Sequence, residues 1–289
     1  MSESMVSRRQ RYWDLRAAGN FIGGGTGSGL IVTASLAAVL GAPFRAALIL
    51  GLAAIAAGLS LVWLEIGKPW RAFNVFFHPR TSWMTREGIV AGALIPLGVV
   101  AAAVSSPALA LITAVLAVGF LYCQARILRA ARGIPAWRQK EIVALILAAG
   151  LAEGCALALI VGPRDGVWLG LALAAGLARE AAWRFYRTGL AREAGAAKSL
   201  AVFAAPSARR LDGLRWAGLG LIAAALVMRL SAVPVPGLMI STAFVIVGCM
   251  LVVLGGWGMK MLLITRAAFT RAISLPVVPI RGSKKSHAH

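Results

Sequence analysis

Residues 46–65 read AALILGLAAIAAGLSLVWLE, an apolar stretch whose only charged residue is Glu65 at its end. A helix of about 20 apolar residues spans the hydrocarbon core of a bilayer. Similar runs recur along the chain, which is 60% hydrophobic and 14% charged, with a mean hydropathy of +0.81. A soluble domain carries about 25% charged residues. The sequence therefore predicts an all-α integral membrane protein.

Eight transmembrane helices are predicted, and they form a single membrane domain that covers residues 1–289. Prolines mark several of the tight turns between them, because proline interrupts the helical hydrogen-bond ladder. A polar tail, 1–20, precedes the helices, and a C-terminal region, 263–289, follows them. The longest polar connection is expected at 184–213. The predicted spans are about 21–41, 46–65, 88–105, 107–128, 142–162, 166–183, 214–231 and 238–262,.

The lysines and arginines are distributed unevenly over the two sides of this predicted bundle. Three of the 30, namely Arg45, Arg164 and Arg229, fall on one side, and the other 27 fall on the side that carries both termini. Cytoplasmic connections are enriched in lysine and arginine. The sequence therefore predicts cytoplasmic termini in a multi-pass protein of a bacterial inner membrane. Because the cations lie in connections between spans, the net charge of +20 does not indicate nucleic-acid binding,.

The connection at 65–87 has a composition unlike the apolar spans around it. It reads EIGKPWRAFNVFFHPRTSWMTRE and holds two carboxylates, four cations and His78, the only histidine outside the C-terminal tail. The three cysteines fall singly in apolar runs. We therefore expect no haem, no iron–sulfur cluster and no disulfide in this chain. Any redox role requires electrons from another polypeptide.

A glycine-rich run at residues 23–29 opens the first span. No strand precedes this run, so a phosphate-binding loop is not expected. Gly23 and Gly27, and likewise Gly25 and Gly29, are four residues apart, which leaves grooves where another helix approaches the backbone closely. Close helix packing is the main interpretation, and a contribution to the pocket of a flat, quinone-sized ring is the alternative.

Three glutamates and one tyrosine are candidates for function. An ionised residue near the middle of a membrane helix costs roughly 2.5–3.5 kcal/mol on insertion scales, so Glu153 is expected to face the bundle interior with a partner or a bound proton. At Glu65, proton handling competes with a simple ion pair. For Glu87, a capping and helix-dipole role is sufficient. Tyr122 either donates to a quinone carbonyl or anchors its helix among lipid headgroups.

Three segments together resemble the membrane-anchor subunits of molybdopterin oxidoreductases, the family of the dimethyl sulfoxide reductase anchor and its polysulfide and nitrite reductase-type relatives. They are residues 16–25 (RAAGNFIGGG), 65–71 (EIGKPWR) and 77–87 (FHPRTSWMTRE). The resemblance implies a haem-free anchor that binds menaquinone or ubiquinone. It also implies two partners, a four-cluster ferredoxin-like iron–sulfur subunit and a molybdopterin catalytic subunit.

Residues 65–87 fall on the side that is rich in lysine and arginine, which is the predicted cytoplasmic side. We therefore expect the catalytic partner on the cytoplasmic face. Its substrate would then be found inside the cell, as an acyl-CoA or sulfite is. The resemblance and the residue chemistry together give three expected groups of site residues. The expected quinone-binding residues are Asn20, Gly24, Glu65, His78 and Tyr122. The expected proton pathway is formed by Glu65, Lys68 and Glu153. The expected docking residues for the partner are Arg71, Arg80, Trp83 and Arg86.

Two other functions stay open at the level of sequence. One is a proton-coupled secondary transporter in which Glu65 and Glu153 carry the coupling protons. Transporters of this kind usually have paired broken helices at mid-membrane, whereas the glycine run of the first span has no counterpart. The other is a purely structural membrane tether without a quinone site.

Overall fold

The computed structural model describes residues 7–64, 77–231 and 235–271. Within these ranges the chain is helical, apart from turns and one isolated β-bridge between Arg9 and Phe269. A π-helical turn, Leu262–Arg266, continues the last helix. The helices are α1 (Leu15–Val39), α2 (Arg45–Trp63), α3 (Trp83–Val104), α4 (Pro107–Ala130), α5 (Pro135–Arg138), α6 (Glu141–Val161), α7 (Gly166–Ala191), α8 (Ala197–Ala204), α9 (Pro206–Leu230) and α10 (Val235–Met261).

Seven helices in the described ranges are long and apolar enough to cross a membrane, namely α1, α2, α3, α4, α6, α9 and α10 together with its π-helical turn. The eighth long helix, α7, has 26 residues, but Arg179 and Glu180 interrupt its apolar sequence. The all-helical, multi-pass character predicted from the sequence is therefore confirmed. The crossing of the membrane by α7 stays a prediction.

Several helices extend beyond the predicted spans. α1 begins at Leu15 because Asp14 caps it and accepts a hydrogen bond from Arg16 N at 2.7 Å. Hydrogen bonds from Arg16 also hold the pKa of Asp14 below its usual range,. Most of the predicted polar connection 184–213 is helical, since it contains the end of α7, all of α8 and the start of α9. Hydropathy marks the part of a helix that lipid covers, whereas the backbone hydrogen-bond ladder continues past it.

Glycines in α1 allow two neighbouring helices to approach its backbone. A Cβ atom on Gly27 would overlap the carbonyl oxygen of Gly51 in α2, and a Cβ atom on Gly29 would overlap the backbone of Gly150 and Gly154 in α6. Small residues permit this kind of close helix contact in membranes. The close-packing interpretation of the glycine run is confirmed, and α1 lies at the centre of the bundle against α2, α4, α6 and α10.

The segments that flank the bundle meet at one end of it. Gln10 N donates to Ala268 O at 2.9 Å, and Thr270 N donates to Arg8 O at 2.8 Å. We term this end, where residues 8–10 lie beside residues 268–270, the tail end. It is also where α1, α3, α6 and α9 begin and where α2, α4, α7 and α10 finish. The two flanking segments share a side, as the sequence predicts, and the assignment of that side to the cytoplasm stays a prediction.

Candidate functional site

Three polar side chains from three helices meet inside the bundle near the tail end. Asn20 of α1, Glu87 of α3 and Gln124 of α4 are 5%, 6% and 0% exposed. Gln124 Nε2 donates to Asn20 O at 3.2 Å, and the side chains of Asn20 and Gln124 face the Glu87 carboxyl group. Asn20 Oδ1, Glu87 Oε1 and Gln124 Oε1 accept no hydrogen bond from any described residue. We term these three residues the amide–carboxyl cluster.

The unpaired oxygens of the amide–carboxyl cluster leave acceptor sites that no described residue uses. A buried polar atom without a hydrogen bond costs about 1–3 kcal/mol. An amide side chain presents either an acceptor oxygen or a donor NH2, depending on how it is turned, and a carboxyl group accepts when ionised and donates when protonated. The cluster is therefore equipped to pair with either a hydroxyl or a carbonyl group.

The local sequence explains how these side chains reach one another. A Cβ atom on Gly24 would overlap the side-chain amide of Gln124, so glycine at this position makes room for the cluster. Ser82 is the N-cap of α3, and its side chain accepts a hydrogen bond from Thr85 N. The capping role considered for Glu87 therefore belongs to Ser82. Glu87 is the fifth residue of the helix, about 6 Å along its axis from the first, and is free to face the interior.

An aromatic stack lies at the tail-end start of α3. The guanidinium groups of Arg86 and Arg126 lie over the Trp83 ring, 4.1 Å and 4.3 Å from its centre. The Tyr122 ring meets Trp83 edge-on at 5.8 Å, and the Tyr122 hydroxyl accepts a hydrogen bond from Arg126 Nη1 at 2.7 Å. Tyr122 is 36% exposed. The structure thus places Tyr122 in this surface stack rather than among the buried cluster residues.

Apart from Glu153, the other expected site residues lie at the surface or outside the described ranges. His78 and Arg80 are exposed in the turn that precedes α3. Arg86 holds this turn, because it donates to the carbonyl oxygens of Pro79 and Arg80 at 2.8 Å each. Arg80, Trp83 and Arg86 thus lie together, and their role in docking a partner stays a prediction. Three expected residues fall outside the described ranges, namely Glu65, Lys68 and Arg71.

A second buried cluster surrounds Glu153 of α6. Its Oε2 atom lies 2.7 Å from Lys260 Nζ of α10, and the two side chains are 0% and 3% exposed. The Thr26 hydroxyl of α1 donates to the same oxygen at 2.6 Å, and Trp257 Nε1 donates to Thr26 Oγ1 at 2.9 Å. The expectation that Glu153 faces the interior and has a partner is confirmed. Gly25 leaves space for this partner, because a Cβ atom there would lie 2.5 Å from Lys260 Nζ.

A third buried cluster joins α7, α9 and α10. Glu180 Oε1 accepts hydrogen bonds from Arg179 Nη2 at 2.7 Å and from Arg215 Nε at 2.8 Å. Arg215 Nη2 donates to Asp212 Oδ1 at 2.5 Å, and Arg179 Nη1 donates to Val252 O at 3.2 Å. Both arginines are at least 97% buried. The charges that interrupt the apolar sequence of α7 therefore pair inside the bundle.

The sequence interpretation missed the roles of Glu87, Gln124, Lys260 and the arginines of the third cluster. Gln124, Lys260 and Arg179 lie inside predicted spans, where polar residues are rare because they are costly to bury. Their position inside apolar spans was the sequence signal that could have marked them as buried and paired. Neither the protein-family models nor the curated proteins compared with this chain give a match.

Proposed function

We propose that this chain is the membrane anchor of an oxidoreductase complex and binds a quinone at the amide–carboxyl cluster. The observation that carries the proposal is the set of three buried oxygens, on Asn20, Glu87 and Gln124, that accept no hydrogen bond from described residues. A quinone presents carbonyl oxygens when oxidised and hydroxyl groups when reduced. Amide and carboxyl side chains pair with both forms.

The quinone supplies redox chemistry that amino-acid side chains lack, and the chain supplies binding, orientation and proton handling. Gln124 is held in place by its hydrogen bond to Asn20 O and leaves Oε1 to the ligand. Glu87 accepts or releases a proton at Oε1. Because Glu87 is 94% buried, bulk water has little access to it, so its proton exchange is confined to the ligand and to neighbouring polar groups.

The electron partner would dock on the tail end beside this cluster. The surface there carries Arg80, Arg86 and Arg126 around Trp83, and Phe77 is 71% exposed. Aromatic residues and arginine are the side chains most enriched at protein interfaces. The resemblance noted in residues 16–25, 65–71 and 77–87 makes this partner a ferredoxin-like iron–sulfur subunit. That subunit would bring a molybdopterin catalytic subunit, and we place both on the cytoplasmic face of a bacterial inner membrane.

The cytoplasmic placement of the tail end leads to a topology prediction. We expect alkaline phosphatase, which is active only outside the cytoplasm, to be inactive when fused after His78, because the sequence assigns most lysines and arginines to this side even without Arg179, Arg215 and Lys260, which are buried in the bundle,. The same enzyme fused after Gly162, between α6 and α7 at the opposite end, is expected to be active. High activity of the His78 fusion with an inactive Gly162 fusion would reverse the assignment.

Quinone binding itself is tested with the purified chain in detergent. We expect bound quinone in the solvent extract of the protein, and we expect Gln124→Met to raise the Kd for added quinone about tenfold. Methionine keeps the length of the side chain but removes the C=O and the NH2 of the amide. An unmade hydrogen bond costs about 1–3 kcal/mol, or a factor of about 5–150 in Kd.

The matched control is Gln139→Met, which removes a second buried glutamine at the tail end. Gln139 donates to Pro135 O and to Glu193 Oε2, away from the amide–carboxyl cluster. The Gln139→Met variant should therefore have the same quinone Kd as the original chain. Absence of quinone from the extract, together with equal and weak binding by the original chain and both variants, would favour the structural-tether alternative.

A proton-coupled transporter is the second candidate, and the Glu153–Lys260 pair favours it. A carboxylate and an ammonium group buried together between α6 and α10 form the kind of intramembrane pair that often marks an ion or proton route. Chain reconstituted alone in liposomes separates the two functions. A transporter would move protons when a substrate gradient is applied, whereas an anchor would need its redox partner.

A further inference from the structure

A small cleft between α6, α7, α9 and α10 is separate from the amide–carboxyl cluster. Its volume is about 30 Å³, and its walls include Leu145, Ile146 and Leu263. Four polar side chains also line it, namely Arg179 and Trp183 of α7, Arg215 of α9 and Lys260 of α10. The remaining lining residues are apolar or glycine. An occupant therefore needs an apolar part as well as a polar one.

Two buried donors at this cleft lack acceptors. Arg215 is 2% exposed and Trp183 is 6% exposed, and Arg215 Nη1 and Trp183 Nε1 make no hydrogen bond with any part of the chain that the structure describes. A guanidinium N–H and an indole N–H only donate. The missing group must therefore bring acceptor oxygens. The Arg215 guanidinium lies 5.8 Å from the centre of the Trp183 ring, so the two residues are neighbours at the cleft.

The size and depth of the cleft restrict that group further. About 10–15 Å³ holds one water molecule, so 30 Å³ has room for two oxygen atoms but not for a quinone ring. Leu145 is the fifth residue of α6, about 6 Å from the tail-end start of the helix,. Acceptor oxygens joined to an apolar chain are a feature of lipids, and α6 is long and apolar enough to lie among them.

We propose that this cleft binds the acidic head of a membrane lipid. Two phosphate or carboxylate oxygens enter the cleft and accept hydrogen bonds from Arg215 Nη1 and Trp183 Nε1, and the acyl chain extends from the cleft into the bilayer. Basic pockets between transmembrane helices bind acidic lipid heads in this way. The site does not depend on the quinone proposal, since it shares no residue with the amide–carboxyl cluster.

The test is native mass spectrometry of the delipidated full-length chain, titrated separately with phosphatidylglycerol, oleate, phosphatidylcholine and inorganic phosphate. We expect phosphatidylglycerol or oleate to bind, with the preferred one identifying the head as phosphate or carboxylate. We expect Trp183→Phe to weaken that binding about tenfold, because it removes one hydrogen bond to a charged group while keeping an aromatic ring. Leu145→Phe, which fills the cleft and leaves both donors in place, should weaken it as well.

Trp168→Phe is the matched control, since Trp168 lies in the same helix and is also 6% exposed. It should bind the acidic lipid as the original chain does. Equal affinity of the original chain and Trp183→Phe would overturn the proposal. So would phosphatidylcholine binding as tightly as phosphatidylglycerol and oleate. Binding of inorganic phosphate as tightly as phosphatidylglycerol would overturn the lipid assignment in favour of a free anion.

Discussion

Lys260→Met is expected to lower the free energy of unfolding by about 3–5 kcal/mol, because it leaves a fully buried carboxylate without its cation. Glu153 Oε2 would then keep only the hydrogen bond from the Thr26 hydroxyl at 2.6 Å. Methionine is close to lysine in length and is apolar, so the loss would come from the missing charge rather than from a cavity. Reversible unfolding in mixed detergent micelles, followed by circular dichroism, measures the difference.

A double variant separates the effect of the unpaired charge on stability from the effect of lost side-chain contacts. Replacing both partners, with Glu153→Leu and Lys260→Met, removes the unpaired charge, and exchange of a whole buried ion pair for apolar residues is often neutral or stabilising by about 1–4 kcal/mol. We therefore expect the double variant to be more stable than Lys260→Met alone. Lys140→Met provides the surface comparison, because the Lys140 side chain is 80% exposed and its Nζ atom lies 4.0 Å from Glu141 Oε1. Its effect should be within about 1 kcal/mol.

Equal losses for Lys260→Met and Lys140→Met would contradict a strong buried pair. A double variant as unstable as the single one would show that the contacts of the side chains, and not their charges, stabilise this region. The double variant also bears on the transporter alternative. If it folds stably and proton movement persists, the Glu153–Lys260 pair is not the proton route.

The pairing of Glu153 could be foreseen only in part. The position of Glu153 within a span predicted an interior carboxylate with a partner, because the cost of burying a charge holds for any helix arrangement. The identity of the partner depends on how α6 and α10 are rotated and aligned, and Lys260 is 107 residues away. The glycine spacing was more informative, since the absence of Cβ atoms marks a close-contact face whatever helix occupies it.

For the amide–carboxyl cluster, too, the sequence did not show which residues of a helix face the interior. Tyr122 and Gln124 lie two residues apart in α4, which turns them about 200° from each other around the helix. One is 36% exposed and the other fully buried, and the one sequence signal that Tyr122 faces outward was Arg126, four residues later on the same helix face,. The interior position of Glu87 was missed because the predicted span begins at residue 88, whereas α3 begins at Trp83. With Ser82 as the cap the carboxyl group lies one turn inside the helix, whereas a later start would have left it at the surface.

Glu87→Gln is expected to lower the quinone-linked turnover of the intact complex by about 10²–10⁴-fold, the usual contribution of a positioned proton-transfer group. This prediction rests on the proposed function. Glutamine keeps the size of the side chain and can still hydrogen-bond to Asn20, Gln124 and the ligand, but it cannot take up or release a proton. Quinone binding should therefore change much less than turnover. Steady-state reduction of a short-chain quinone by membranes that contain the complex measures the turnover.

Two comparisons make this result specific to Glu87. Electron transfer from the catalytic partner to a soluble dye, which bypasses the anchor, should be unchanged in Glu87→Gln. Glu141→Gln makes the same substitution at the start of α6, at the tail end but on another helix, and should leave quinone-linked turnover intact. Full turnover in Glu87→Gln with normal quinone binding would remove Glu87 from the proton route. Loss of quinone binding in the same variant would instead make Glu87 a group that holds the ligand, because a glutamine of equal size can replace the shape of the carboxyl group but not its charge or its proton.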